Sequence, residues 1–225
     1  MQNSTIGVTA YDWVPSFAQG LVRDLRVRWA LEEAGLAYRP IILEQGSQRG
    51  ADNIARQPFG QVPAMEIDGQ AMFESGAIVW RIAEASDTLL PADPAERDRV
   101  HSWYFAAMSS VEPEVMMLAM LDFFASDKDA AGKVRPDVVA GVEGRLTSLS
   151  NALGPEDWLV GGVFSAADLM MATVLRILGH TDILCGFPTL HAYLARCIDR
   201  PAFAAALEAQ MRTFAENAAK YERES

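Results

Sequence analysis

The chain has 225 residues, is 50% hydrophobic and 22% charged, and carries a formal net charge of -11. Such a chain buries a substantial core in one large or two small domains, which excludes a disordered protein, and its acidity argues against nucleic acid and anionic membrane as partners. No apolar run approaches the roughly 20 residues that span a bilayer, and Met1-Gln2-Asn3-Ser4-Thr5 has neither a basic nor an apolar leader segment, so a cytoplasmic location is expected. From the N-terminus, Ile6 to Tyr11 reads as a first strand, followed by a loop with Trp13, Pro15 and Ser16. Val22, Leu25 and Trp29 mark one face of a helix that stops at Gly35. Tyr38 to Leu43 reads as a second strand, and the polar stretch Glu44 to Arg56 as a loop with a short helix. Ala64 to Phe73 alternates apolar and polar residues around Asp68-Gly69, a strong hairpin signal, and Ile78, Val79, Ile82 and Ala83 follow at helical spacing.

This β-α-β, α, β-β-α order is that of a thioredoxin-like domain, expected to end near Ser86. Residues 87–94 are dense in turn formers and read as a linker. Residues 95–225 read as wholly helical, giving an α+β domain followed by an all-α domain. The first helix of that second part runs from Ala95 to about Phe124, and Pro113 is expected to kink or break it. Val138, Val142, Leu146, Leu149 and Leu153 mark the next helix, which Gly154-Pro155 closes. Further helices carry Leu169 to Ile177, Leu190 to Cys197, and Phe203 to Met211 after Pro201. Phe164-Ser165-Ala166-Ala167-Asp168-Leu169 fits a capping box with a hydrophobic staple. Glu216 to Ser225 is polar, acidic and expected to fray. Cys185 and Cys197 have no metal-binding or CxxC spacing and are expected as reduced, mostly buried thiols. His101, His180 and His191 show no ligand spacing, so no metal is expected.

Residues 57–75 carry the most chemistry. A Pro/Gly loop, Gln57-Pro58-Phe59-Gly60-Gln61, leads through Val62-Pro63 into the hairpin, which ends on Glu74-Ser75 at a helix start. A strand entrance that pairs on one side only leaves backbone groups for an extended peptide. A Ser at a helix N-terminus sits beside unpaired N–H groups that suit a carboxylate. The stretch resembles the glutathione-binding half of a soluble, bacterial-like glutathione transferase. The resemblance implies a cis Val62–Pro63 bond, a Val62 backbone that pairs with the cysteinyl unit, and a Glu74–Ser75 pair that holds the γ-glutamyl end. It also implies that Gln48 and Arg49 lie where the glycyl carboxylate docks. The motif at 164–169 matches the same family's helical domain, where it serves folding.

A glutathione transferase must keep the thiol of glutathione ionised. Lowering a thiol pKa of about 8.5 by two units takes roughly 2.7 kcal/mol. A charge-assisted hydrogen bond, a helix N-terminus or a nearby cation is each of that size. Many family members supply Ser or Cys shortly before an Arg-Val-Arg-like segment. Here Leu21, Val22 and Arg23 occupy those places ahead of Arg26-Val27-Arg28. The remaining candidates are Ser16, then Arg23, Tyr11 and Trp13, with activation by backbone N–H groups alone as the alternative. The resemblance places the acceptor site between the domains. Trp13 and Phe17 are candidates for one wall, and Trp103, Tyr104, Met108, Met116, Met117 and Met120 for the other, although a Met stripe at helical spacing is more often core than pocket. Glu112 and Glu114 beside Pro113 read as solvated.

The resemblance implies thiolate attack on an electrophilic small molecule, a role in detoxification, and a homodimer with Met65, Met72 and Phe73 as candidate contacts. Two alternatives stay open: a glutathione-dependent reductase, isomerase or lyase on the same fold, and a glutathione-binding protein without activity. The lack of a Cys near the first helix argues against a disulfide-exchanging reductase.

Overall fold

The computed structural model describes Met1 and residues 4–221. They form two compact units, one of Met1–Leu89 together with the chain from Arg200 onward, the other Leu90–Asp199.

The first unit is built on a four-stranded sheet of β1 (Ile6–Tyr11), β2 (Arg39–Leu43), β3 (Ala64–Ile67) and β4 (Gln70–Phe73), in the order β2-β1-β3-β4. β1 pairs parallel with β2 and antiparallel with β3, and β3 pairs antiparallel with β4. The parallel pair is joined through α1 (Asp24–Glu33), as a parallel crossover requires. Asp68 and Gly69 both take positive φ (51° and 85°), the signature of a two-residue hairpin turn. Gly35 (φ 62°) ends α1 as expected, with Leu36 N–H bonded to Leu31 C=O (2.9 Å) and Gly35 N–H to Glu32 C=O (3.1 Å). The short α2 (Ala51–Ile54) lies in the polar stretch, and α3 (Ser75–Glu84) follows the hairpin, so the expected thioredoxin-like order is complete.

The last helix of the chain, α9 (Pro201–Tyr221), packs against α1 in this same unit. Residues 95–225 read from sequence as one helical domain, whereas in space this helix supplies a layer of the first unit. Arg200 is bidentate to Glu33 (2.6 and 2.7 Å), Phe203 meets Trp29 edge-on (4.9 Å), and Gln210 donates to buried Asp24 (2.6 Å). Fraying from Glu216 is not observed as far as Tyr221, which remains helical and is anchored to Asp12; residues 222–225 of that expected tail lie outside the described residues.

In the second unit α4 (Pro94–Ala106) and α5 (Glu112–Ala119) form one continuous helical run to Phe124. Pro113 does not break it. The backbone widens to π-helix over Ala107–Val111 and again over Met120–Phe124, and the first widening falls just ahead of the proline, which has no N–H to give the carbonyl four residues back. Glu112 is buried rather than solvated, and Tyr104 is core. α6 (Lys128–Leu153) begins ten residues before the first periodic residue, Val138, with the Asp127 carboxylate accepting from Ala130 N–H (2.9 Å), and it passes through Pro136. Asp122 accepts two bonds from Arg135 (2.7 and 3.0 Å) and meets His180 Nε2 (3.0 Å). α8 (Pro188–Ile198) closes the unit, and Cys197 on it is buried whereas Cys185 is exposed.

α7 (Ala166–Leu175) is buried along its whole length. Its expected capping box is present. Asp168 accepts from Ser165 N–H (2.9 Å), Ser165 hydroxyl (2.8 Å), Leu159 N–H (2.9 Å) and Tyr193 hydroxyl (2.9 Å). Asp168 therefore also ties α7 to α8 and to the preceding loop, which local spacing does not reveal.

Candidate functional site

The Val62–Pro63 bond is cis. Three side chains build the loop that carries it. Buried Gln57 accepts from the backbone N–H groups of Phe59 (2.6 Å) and Gln61 (3.2 Å). Buried Asn53 donates to the carbonyls of Gln48 (2.8 Å) and Gln61 (3.1 Å), which brings the Gln48-Arg49 turn against the loop. Thr9 of β1 accepts from Ala64 N–H (2.6 Å), fixing the chain just past Pro63. At Gly60 (φ 64°) an added Cβ would meet the Arg49 side chain at 3.0 Å, so Arg49 lies directly on the loop. The hydrogen bonds found among the described residues leave the backbone N–H and C=O of Val62 unused.

The hairpin then returns the chain to this point. Ala64 pairs with Phe73, so one step further Pro63 stands opposite Glu74. Glu74 has φ 67° and ψ 114°, a backbone conformation that costs a non-glycine residue about 1–3 kcal/mol and is retained where surrounding structure imposes it. It aims α3, whose first turn closes with Ile78 N–H on Glu74 C=O (2.9 Å) and places Ser75 at the positive end of the helix. Ser75 is buried there, and Arg26 of α1 reaches its hydroxyl at 3.5 Å. Val62, Pro63, Glu74, Ser75, Gln48 and Arg49 thus converge at one end of the sheet, where β1, β2 and β4 finish and β3 begins.

β1 runs antiparallel to β3 with Val8 opposite Met65, so its C-terminal end, Tyr11, comes out beside Val62. Burial, and then the neighbouring Asp24 carboxylate, push the Tyr11 hydroxyl up, and it stays protonated. Asp24 is buried under α9; burial raises its carboxyl, and Arg28 (2.7 Å) and Gln210 partly offset this. Trp13 stacks on Tyr221 (4.7 Å between centroids, 11° between planes). Ser16 is exposed at the start of a 3₁₀ turn, and Arg23 is exposed immediately before α1. The structure therefore gathers the peptide-binding candidates closely and spreads the four thiol-activating candidates along the β1–α1 connection.

Gln57, Asn53, Thr9, Arg26, Asp12 and Tyr221 were not among the expected site residues. Asn53 and Gln57 stand four apart at the end of a polar stretch, a weak signal for two buried amides. Thr9, Arg26 and Tyr221 act over long sequence separations that no local pattern reports.

This geometry agrees with two family models: the N-terminal domain of glutathione S-transferase matches residues 25–85, and the C-terminal domain of glutathione S-transferase matches residues 109–201. The chain belongs to the glutathione S-transferase family. Among curated relatives of this glutathione S-transferase family member, the maleylacetoacetate isomerase of Rhizobium meliloti is 36% identical over 137 residues, covering 58% of this chain and 61% of that protein. A glutathione S-transferase of Hyoscyamus muticus is 29% identical over 198 residues, covering 82% of this chain and 92% of that protein. Among solved structures, a glutathione transferase from Burkholderia graminis with two glutathione molecules bound per subunit superposes with a TM-score of 0.78 at 25% identity, covering 91% of this chain and 88% of that one.

Proposed function

We propose that the protein is a glutathione transferase that binds glutathione along the Val62–Ser75 end of the sheet and directs its thiolate at an electrophilic small molecule. The observation that carries this reading is the juxtaposition of the Val62 backbone, unused among the described residues, with the N-terminus of α3 at Ser75. The Val62 N–H and C=O take the cysteinyl unit as a short extra strand, fixing the direction of the peptide. The γ-glutamyl carboxylate docks on the N–H groups and hydroxyl at Ser75, helped by the helix dipole, and Glu74 takes the α-amino group. Gln48 and Arg49 hold the glycyl carboxylate.

The thiol then lies at the end of β1. Tyr11 is a poor activator because its Asp24 neighbour disfavours a second anion. The ring of Trp13 is engaged with Tyr221. Ser16 as hydroxyl donor and the Arg23 cation just before α1 remain the better candidates, and a charge-assisted hydrogen bond and a nearby cation are each of the size needed for the roughly 2.7 kcal/mol that a two-unit depression takes. Catalysis is then thiolate activation plus positioning, without a covalent enzyme intermediate. The test is turnover of an aryl halide with glutathione alongside retention on a glutathione column. Retention without turnover supports a binding protein, and no retention defeats the reading. The similarity to a maleylacetoacetate isomerase favours glutathione-dependent cis–trans isomerisation as the second reading, tested by offering a cis-enone diacid in place of the aryl halide.

The homodimer and the cytoplasmic, detoxifying role belong to the same proposal. Met65 is core and unavailable for a dimer contact, Met72 is half-buried, and Phe73 is exposed beside Phe59, the two rings edge to face at 6.3 Å. Phe59 is 68% exposed, and this aromatic pair is the better candidate contact. Light scattering that gives 24.6 kDa at micromolar concentration defeats the dimer. No helix among the described residues is long and apolar enough to cross a membrane.

A further inference from the structure

Asp12 is the first residue after β1 and is 2% exposed, so its carboxylate depends on donors. It finds them at two distant parts of the chain. Gln45, just past β2, donates its backbone N–H (2.9 Å), and the Tyr221 hydroxyl lies 2.9 and 3.0 Å from the two carboxylate oxygens and donates there. Lys220 stands at 3.5 Å, and Gln45 N–H is also within 3.3 Å of the Tyr221 oxygen. The final turn of α9 is thereby bolted to the root of the β1–α1 connection, the segment that carries Trp13, Ser16 and Arg23.

Tyr221 does more than close the fold. Its ring lies nearly parallel to Trp13 at 4.7 Å, covering one face of the indole, and Trp13 nevertheless remains partly exposed. We propose that Tyr221 is a positioning residue for the acceptor substrate: anchored by Asp12, it holds Trp13 as a fixed aromatic platform beside the glutathione sulfur and so favours flat, aromatic electrophiles. The inference rests on the transferase reading, because only that reading places the sulfur at the end of β1. Stacking on a rigid indole needs no ring to be ordered on binding, and pre-organisation is where such a contact gains affinity.

The test uses the full-length protein and isothermal titration with two ligands, glutathione and S-(4-nitrobenzyl)glutathione, on wild type, Tyr221→Ala and Tyr221→Phe, each checked for folding by circular dichroism. Wild type is expected to bind the aromatic conjugate more tightly than glutathione. Tyr221→Ala should shrink that ratio about 2- to 12-fold, the span that an aromatic pair commands, while the Kd for glutathione moves less than about twofold. Tyr221→Phe, which keeps the ring and loses its anchor, should fall in between. A ratio unchanged in the folded variants overturns the proposal, as does an equal loss for both ligands, which is what a merely structural tyrosine gives. Wild type binding glutathione but showing no preference for the conjugate overturns the proposal alone. Wild type binding neither overturns the transferase reading and the proposal with it.

Discussion

Replacing Asp168 should separate the helical unit's internal fastening from everything at the candidate site. Its carboxylate is fully buried and accepts from two backbone N–H groups and two hydroxyls, all between 2.8 and 2.9 Å. Asp168→Ala strands these donors in the interior. At about 1–3 kcal/mol for each stranded group, and less the relief from removing a buried charge, a loss of about 4 kcal/mol is expected. That is a large share of the about 5–15 kcal/mol that holds a domain together. Asp168→Asn keeps one carbonyl oxygen for Leu159 and Tyr193 and presents an amide to the Ser165 side, so about 2 kcal/mol is expected. Urea unfolding followed by far-UV circular dichroism measures both. Burial raises the Asp168 carboxyl above the ordinary range, its four donors opposing this. With the folded pKa above the unfolded value, its contribution to stability is complete below about pH 3.9 and declines as the pH rises through the folded pKa. The difference between wild type and Asp168→Asn should therefore narrow with rising pH across that window. A loss under about 1 kcal/mol for Asp168→Ala refutes the reasoning, since it means that the donors find other partners.

Ser75→Ala should raise the Kd for glutathione about tenfold by removing a hydroxyl from the α3 N-terminus, with the melting temperature little changed; an unaltered Kd in titration calorimetry counts against the Ser75 site. Glu74→Gly should relieve the backbone cost at φ 67° and hold or raise thermal stability while weakening glutathione binding, and a drop in both denies that Glu74 is strained for function. Gln57→Ala withdraws the acceptor from the N–H groups of Phe59 and Gln61 and should lose about 1–3 kcal/mol in urea, with the KM for glutathione rising; unchanged KM would mean that the loop holds Val62 without it. Hydrogen bonds from Arg135, then His180, lower the Asp122 carboxyl, so its stabilisation is present above about pH 3.9 and is lost as the pH falls through the folded pKa. Asp122→Asn should lower the melting temperature at neutral pH and leave it unchanged in strong acid, and a pH-independent difference refutes the ion-pair account.

The hairpin, its Asp68-Gly69 turn, Gly35 and the capping box were legible because each is written in one short continuous stretch of the chain, the longest being Ala64–Phe73. So were Val62, Pro63, Glu74 and Ser75, through the resemblance of that continuous stretch to a family. The extent of α6 was missed because its first ten residues hold a single large apolar side chain, exposed Val134, and include Pro136, so that its start has no apolar stripe. Glu112 reads as solvated beside Pro113 but is buried, since a charged residue's burial is set by what packs on it. The membership of α9 in the first unit is invisible locally, because Arg200, Gln210 and Tyr221 find Glu33, Asp24 and Asp12 across more than 160 positions.

That distant partnership has a consequence for synthesis. The chain leaves the ribosome with the outer side of α1 bare, and the helix that covers Asp24 and Trp29 is translated only after the whole of the other unit. At about 5–20 residues per second, the interval between Leu89 and Tyr221 is roughly 7–26 s. Through that interval the nascent first unit exposes an apolar flank to chaperones and to neighbouring chains, and a transcript cut short before Arg200 would yield a product that never shields it.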